Sequence, residues 1–358
     1  MDVPTLGIEE EFLLVDAGTG GLREDAEVVL QQTGDDLDHE LRSAMVETGS
    51  AVCADLATAS AELSQRRAAA VAAAARVGAR VLATGSHPTA TPHEPGYGDE
   101  PRYRRIAEAF GVVSHEALVC GCHVHVAVPD REAGVAVVDR VRPWLGPLVA
   151  LSVNSPLWQG QDTGYHSWRT QVWSRWPTAG PTSLFHDLTT YDARADALVA
   201  CGAAIDRAAL YYEVRLSEQW PTVEVRVGDV CLEVDDAVLL GGLARALVMT
   251  ALADRDRPAP DVPVELLRAA TFQASHAGLS GELVDPVDWQ LRPAAAVLEL
   301  LVEHVGAALE HAGDAGLVTA GIARLQREGS GADRQRNAFQ RAGSQAVIDL
   351  VTLQPASS

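Results

Sequence analysis

Between Thr5 and Asp16 the chain sets three consecutive glutamates, Glu9, Glu10 and Glu11, inside a run of Leu, Ile, Phe and Val. The apolar flanks read as a β-strand, whose side chains alternate between two faces. One face carries Leu6, Ile8, Glu10, Phe12 and Leu14; the other carries Gly7, Glu9, Glu11, Leu13 and Val15. Carboxylates buried in such a strand cost several kcal/mol unless they meet cations or a metal. A site built on at least two of these glutamates therefore explains the stretch better than folding does. The plainer alternative is a sheet edge with solvated acids.

The rest of the chain narrows what that site does. Its 358 residues and formal charge of −21 suit one large domain or two ordinary ones, with no nucleic-acid or membrane partner. All 28 basic residues are arginine. Without lysine there is no Schiff base and no Gly-Lys-Ser/Thr phosphate loop, so phosphate must be handled by arginine, metal or backbone amides. The five cysteines, with Cys120 and Cys122 read as buried and small, fit reduced thiols. No signal pattern opens the chain, so a cytoplasmic protein is expected.

Further strands are predicted over 39–49, 81–84, 118–128, 211–216 and 222–229, and a loop over 89–101. Helices are predicted over 56–78 (with Ser60 available as N-cap), 102–110, 131–151 (interrupted at Pro143 and Pro147), 191–203 and 235–253. From 262 onward the pattern is helical, over about 263–275, 293–311, 314–327 and 333–352. The strands do not alternate regularly with helices, which predicts an α+β fold. The segment Asn154 to Pro181 is long, irregular and rich in tryptophan. It reads either as a substrate loop or as a surface loop anchored by its aromatic residues.

Three strands share one design. Each has an apolar face and a face of polar pairs: Glu9 with Glu11, His123 with His125, and Glu224 with Arg226. On one sheet surface these would form an acidic site. Carboxylates with histidine suit Mg²⁺ or Mn²⁺, and arginines nearby suit nucleotide phosphates. The residues alone do not choose between phosphoryl transfer, ligation and hydrolysis.

Six motifs together carry a resemblance. They are Leu6 to Glu11; Met45-Val46-Glu47; Gly85-Ser86-His87-Pro88; Gly121 to Val126; Asn154-Ser155-Pro156 with Arg169 to Pro181; and Thr222 to Asp229. In this order they resemble the carboxylate–amine ligases related to glutamate–cysteine ligase type 2, across roughly residues 5 to 250. The resemblance implies a glutamine-synthetase-like, curved and mainly antiparallel sheet, with helices on its convex side and a helical C-terminal layer. It implies one catalytic domain over 1–358, strand-rich to 235 and mostly helical from 236. It also implies ATP, Mg²⁺ or Mn²⁺, and amide formation between small carboxylate and amine (amino-acid) substrates. Glu9, Glu11, Glu47, His123 and Glu224 look like metal ligands, and Glu40 and His125 like further ligands or their supports. Glu224 and Arg226 look catalytic. Arg226, Arg169, Arg175 and Asn154 look like ATP or substrate contacts, while Glu10 is expected to be structural. The alternatives are a guanidino-kinase-like phosphotransferase and a non-catalytic nucleotide-binding homologue. Oligomeric state is open, with a homodimer as the working guess.

Overall fold

The computed structural model describes residues 2–33, 36–92 and 95–354. Residues 93 and 94 of the loop predicted over 89–101 lie outside the described residues. Seven strands form the main sheet: β1 (Leu6–Asp16), β2 (Asp38–His39), β3 (Met45–Gly49), β4 (Ala79–Leu82), β5 (Gly121–Ala127) and, after a short ribbon of β6 (Leu157–Trp158) and β7 (Gln161–Asp162), β8 (Val214–Leu216) and β9 (Thr222–Asp229). The order is β2-β3-β1-β5-β9-β8, with β4 added to the far end of β1, and each pairing is antiparallel. A second small ribbon joins β10 (Glu282–Val284) to β11 (Leu291–Pro293).

One face of the sheet is apolar because every second residue is. Leu6, Ile8, Val124, Val126, Val223 and Val225 pack with the helix Val234–Ala253, which lies across β1, β5 and β9. That helix is long and apolar enough to cross a membrane, but 89% of its apolar window is buried inside the fold, so it is a core helix here. Its one buried cation, Arg245, is matched by Asp314 at 2.6 Å. The C-terminal helices Ala294–Ala312 and Ala315–Glu328 pack onto it, forming the expected helical layer.

Three expectations change. The helix Leu56–Arg76 is capped by Asp55, whose carboxylate accepts from the Thr58 N–H at 2.7 Å; Ser60 lies inside the helix. The strand predicted over 39–49 is broken between β2 and β3. There Arg42 turns inward, fully buried, and donates to the carbonyls of Gly96, Ser114 and Pro92 at 3.0–3.3 Å, and also to those of His115 and Pro95. A guanidinium buried this way needs an acceptor for each of its donors, and these carbonyls supply them. The irregular segment 154–181 contains the β6–β7 ribbon and a short helix, Trp168–Trp173.

Candidate active site

Antiparallel register decides which polar residues meet. Glu9 lies opposite His123, Glu11 opposite Glu47, His125 opposite Glu224, and Glu224 opposite Arg215. Directly opposed residues project to the same face, so the polar pairs of β1, β5 and β9 converge as the alternation predicted. Glu10 goes to the other face. It is fully buried in a two-pronged ion pair with Arg67 of the helix Leu56–Arg76, at 2.5 and 2.9 Å. Between β5 and β9 the register slips after Cys122. At that irregularity the Arg226 N–H bonds to the Glu213 carbonyl (2.9 Å), and the Arg226 guanidinium folds back onto Glu224.

These side chains line a cavity of about 310 Å³, walled further by Glu40, Arg102, Tyr103 and Trp220. The Glu9 carboxylate is bracketed by His125 Nε2 at 3.1 Å and His123 Nδ1 at 3.4 Å. Burial alone would raise its pKa, but the two imidazoles hold it well below the usual carboxylate range. Glu224 is likewise held well down: Arg226, Arg215 (2.7 Å) and the imidazoles overcome its burial. Burial and the Arg226 charge lower His123, so the Glu9–His123 contact joins a carboxylate to a neutral ring. At His125 the bond to Glu9 overcomes burial and raises the pKa, while the Thr222 hydroxyl fixes Nδ1 at 2.9 Å. At Glu40 and Glu47 the pull of Arg226 is outweighed. Burial first, then neighbouring carboxylates, pushes Glu40 up to about 8 and Glu47 well above its ordinary value.

A metal fits this donor set. Glu9, His125 and Glu224 present ligand atoms within 4.8 Å of one another, and so do Glu9, Glu47 and His123. His123 Nε2 is buried without a hydrogen-bond partner, and His125 Nε2 has only the Glu9 carboxylate against it. Carboxylates outnumber the cations that face them, which is the condition a divalent ion relieves. Oxygen donors with one histidine per cluster match Mg²⁺ or Mn²⁺. Glu11 lies in the cavity and outside both clusters, and its Oε2 accepts from the Gly121 N–H at 2.6 Å. A side chain at Gly121 would crowd the Arg169 guanidinium and His123 Nε2, so glycine leaves those two side chains their places.

A second cavity of about 440 Å³ adjoins the first, and both are walled by Trp173, Tyr211 and Arg226. The aromatic segment 154–181 supplies much of its lining, including Arg169, Trp173, Arg175 and Trp176. Arg169 is 2% exposed, lies 5.6 Å from the Trp173 ring and keeps its Nε unpartnered. Arg175 is already engaged by Glu116, which leaves Arg169 the freer guanidinium. Asn154 is not a cavity residue. Its amide donates to the Ala83 and Val230 carbonyls (3.0 and 2.8 Å) and accepts from Gln335 (2.7 Å), so it ties the sheet to the C-terminal helix.

The family profile of "Glutamate-cysteine ligase family 2" matches residues 5–352. The chain belongs to glutamate–cysteine ligase family 2. A relative from Frankia alni, provisionally named glutamate–cysteine ligase 2-2, is 47% identical over 370 aligned residues, covering 98% of this chain and 96% of its own. One from Nocardia farcinica, provisionally named glutamate–cysteine ligase 2-1, is 45% identical, covering 95% and 90%. The fold matches a crystal structure of glutamate–cysteine ligase from Francisella tularensis in complex with AMP, with TM-score 0.73 at 13% identity over 98% of this chain and 88% of that one. It also matches a bifunctional glutathione synthetase from Pasteurella multocida, with TM-score 0.73 at 16% identity over 97% and 52%. The antiparallel sheet expected from the resemblance is present, and the fold is that of these two structures.

Sequence reasoning missed Arg215, Thr222 and Glu213. Arg215 had a signal, as the lone cation between Val214 and Leu216 on a short strand. Thr222 was visible as the first polar residue on the Glu224 face of β9. Glu213 precedes its strand, and nothing local marks it as a cavity residue.

Proposed function

We propose that this family-2 chain is an ATP-dependent carboxylate–amine ligase that forms an amide through an acyl phosphate. The carrying observation is the pair of joined cavities: one lined by carboxylate–histidine clusters, the other by Arg169 and aromatic rings, with Arg226 between them. Glu9, His125 and Glu224, and Glu9, Glu47 and His123, would hold divalent cations, which neutralise ATP phosphate charge when bound.

The protein's own residues supply the rest. Arg226, anchored by Glu224, presents a fixed positive charge where the two cavities meet and the phosphoryl group transfers. The substrate carboxylate, gripped by Arg169, attacks the γ-phosphorus and ADP leaves. An amine then attacks the acyl carbon; the C–N bond forms and phosphate departs. Trp173 and Trp176 exclude water that would otherwise hydrolyse the acyl phosphate. Glutamate and cysteine, named in the relatives, are the first substrates to test. We read the chain as one cytoplasmic catalytic domain.

A coupled ADP-release assay across a matrix of carboxylates and amines, with Mg²⁺ and Mn²⁺ compared, tests this reading. ADP release should require both partners and should yield an amide by mass spectrometry. No amino-acid-dependent release would sink it. A stable phosphorylated product without an amide would instead mark a phosphotransferase.

A further inference from the structure

The second cavity is electropositive. Arg169, Arg175, Arg226 and Arg268 all line it, and Glu213 is its single acid. Such a wall receives carboxylates well, which makes the one glutamate the exception to be explained. Glu213 sits just before β8, with its main-chain carbonyl fixed by the Arg226 N–H at 2.9 Å. Its side chain is half-buried on the cavity wall that it shares with Thr271 of the helix Val264–Ala277. Among the described residues no cation lies within ion-pair distance of it. The charged groups around it are Arg268 from that helix, Arg226 from β9 and Arg169 from the helix Trp168–Trp173, with Tyr211 and Tyr212 beside it.

A ligase needs such a group. An amine reaches the enzyme near neutral pH as an ammonium ion, which has no lone pair to attack with. Resting on the ligase reading above, we propose that Glu213 receives the ammonium group of the incoming amine in this cavity and takes its proton. The step balances: R–NH₃⁺ and the Glu213 carboxylate become R–NH₂ and the Glu213 carboxylic acid. The freed lone pair then forms the C–N bond as the C–O bond to phosphate breaks. Attack leaves the nitrogen with one proton too many, and the departing phosphate takes it. Burial pushes the Glu213 carboxyl up to about 7, against the pull of Thr271 and Arg268, which suits a proton acceptor at neutral pH.

The test compares the true amine with hydroxylamine, a nucleophile that is uncharged at neutral pH and needs no base. The intact enzyme is given ATP, Mg²⁺, L-glutamate and either L-cysteine or hydroxylamine; if that pair is inactive, the active pair from the substrate matrix is used. Glu213→Gln should form the hydroxamate as fast as the unmodified enzyme and form the amide about 100-fold more slowly at pH 7. In the unmodified enzyme amide formation should rise with pH through about 7, because the carboxylate form is the active one. In Glu213→Gln that rise should move up toward the amine's own pKa. Amide and hydroxamate falling together, or an unmoved pH profile, would overturn the role. Should Glu213→Gln fail to fold, Thr271→Val decides. It removes the neighbouring hydroxyl that draws the carboxyl down, so the rise should shift upward, and an unchanged profile refutes the proposal. Absence of ADP release and of hydroxamate in the unmodified enzyme, across the whole matrix, removes the ligase reading itself and this role with it.

Discussion

Glu10→Gln separates the two faces of β1. Glu10 is 0% exposed, and both of its oxygens accept from Arg67, at 2.5 Å from Nη2 and 2.9 Å from Nε. Arg67 also donates to the Leu232 and Cys231 carbonyls, at 3.0 and 2.7 Å, so it cannot swing out to water without breaking both. Removing one partner of such a pair leaves a buried charge and costs about 3–5 kcal/mol. The glutamine still offers one acceptor, which favours the lower end. With an unfolding entropy of about 2.1 cal/mol/K per residue, 358 residues give about 0.75 kcal/mol/K, so Tm should fall by about 4 °C and by no more than about 7 °C. Thermal melts followed by circular dichroism, paired with turnover per folded molecule, measure the two effects separately. Turnover should persist, since Glu10 faces the helix Leu56–Arg76 and not the cavity. Replacing both partners by leucine should recover most of the lost stability. Lost turnover with an unchanged Tm would place Glu10 on the cavity face and refute the register.

Glu9→Gln should lower kcat/KM by more than about 100-fold, since Glu9 belongs to both clusters and even an outer-shell loss costs 10–100-fold. Its Tm should fall, since the imidazoles that lower the Glu9 pKa make its carboxylate stabilising at pH 7, and Glu11→Gln should cost less activity because one Glu11 oxygen serves Gly121. Mg²⁺ binding should release protons near pH 7. Glu47, pushed well above its ordinary value, must give up any proton it holds to join its cluster, and the ion's charge draws a proton from Glu40 nearby, which burial and its neighbours push up to about 8. Calorimetry in buffers of different ionisation heats would read zero protons if this is wrong, and affinity should strengthen as pH rises through about 8. Asp333 is the fourth case. Its bonds to His166 and Ser330 overcome burial and hold it down to about 2, against 3.8 ordinarily. As pH falls the unfolded chain takes the proton first, so this stabilisation is present above 3.8 and lost as pH drops through 2. Asp333→Asn should cost about 1–2 kcal/mol in urea unfolding at pH 7, and the gap should close toward pH 2; a pH-independent gap would refute it.

The alternation in three strands already grouped the residues of the candidate site. Period two sent Glu9 and Glu11 one way and Glu10 the other, grouped His123 with His125, and placed Glu224 beside Arg226, because side-chain direction in a strand is a local property. The absence of lysine likewise excluded whole chemistries before any fold was known. What lay beyond the sequence is non-local. Glu40 reaches the cavity from the break between β2 and β3, where Arg42 is buried among carbonyls distant in sequence. Asn154 leaves the site because Ala83, Val230 and Gln335, far away in sequence, claim its amide. Arg215 meets Glu224 only because β8 closes the sheet edge. The second cavity, and the isolation of Glu213 among four arginines, exist only once the segment 154–181 and the helix Val264–Ala277 fold against β9. Local spacing fixes which way a side chain points; strand pairing and helix docking decide what stands there to meet it.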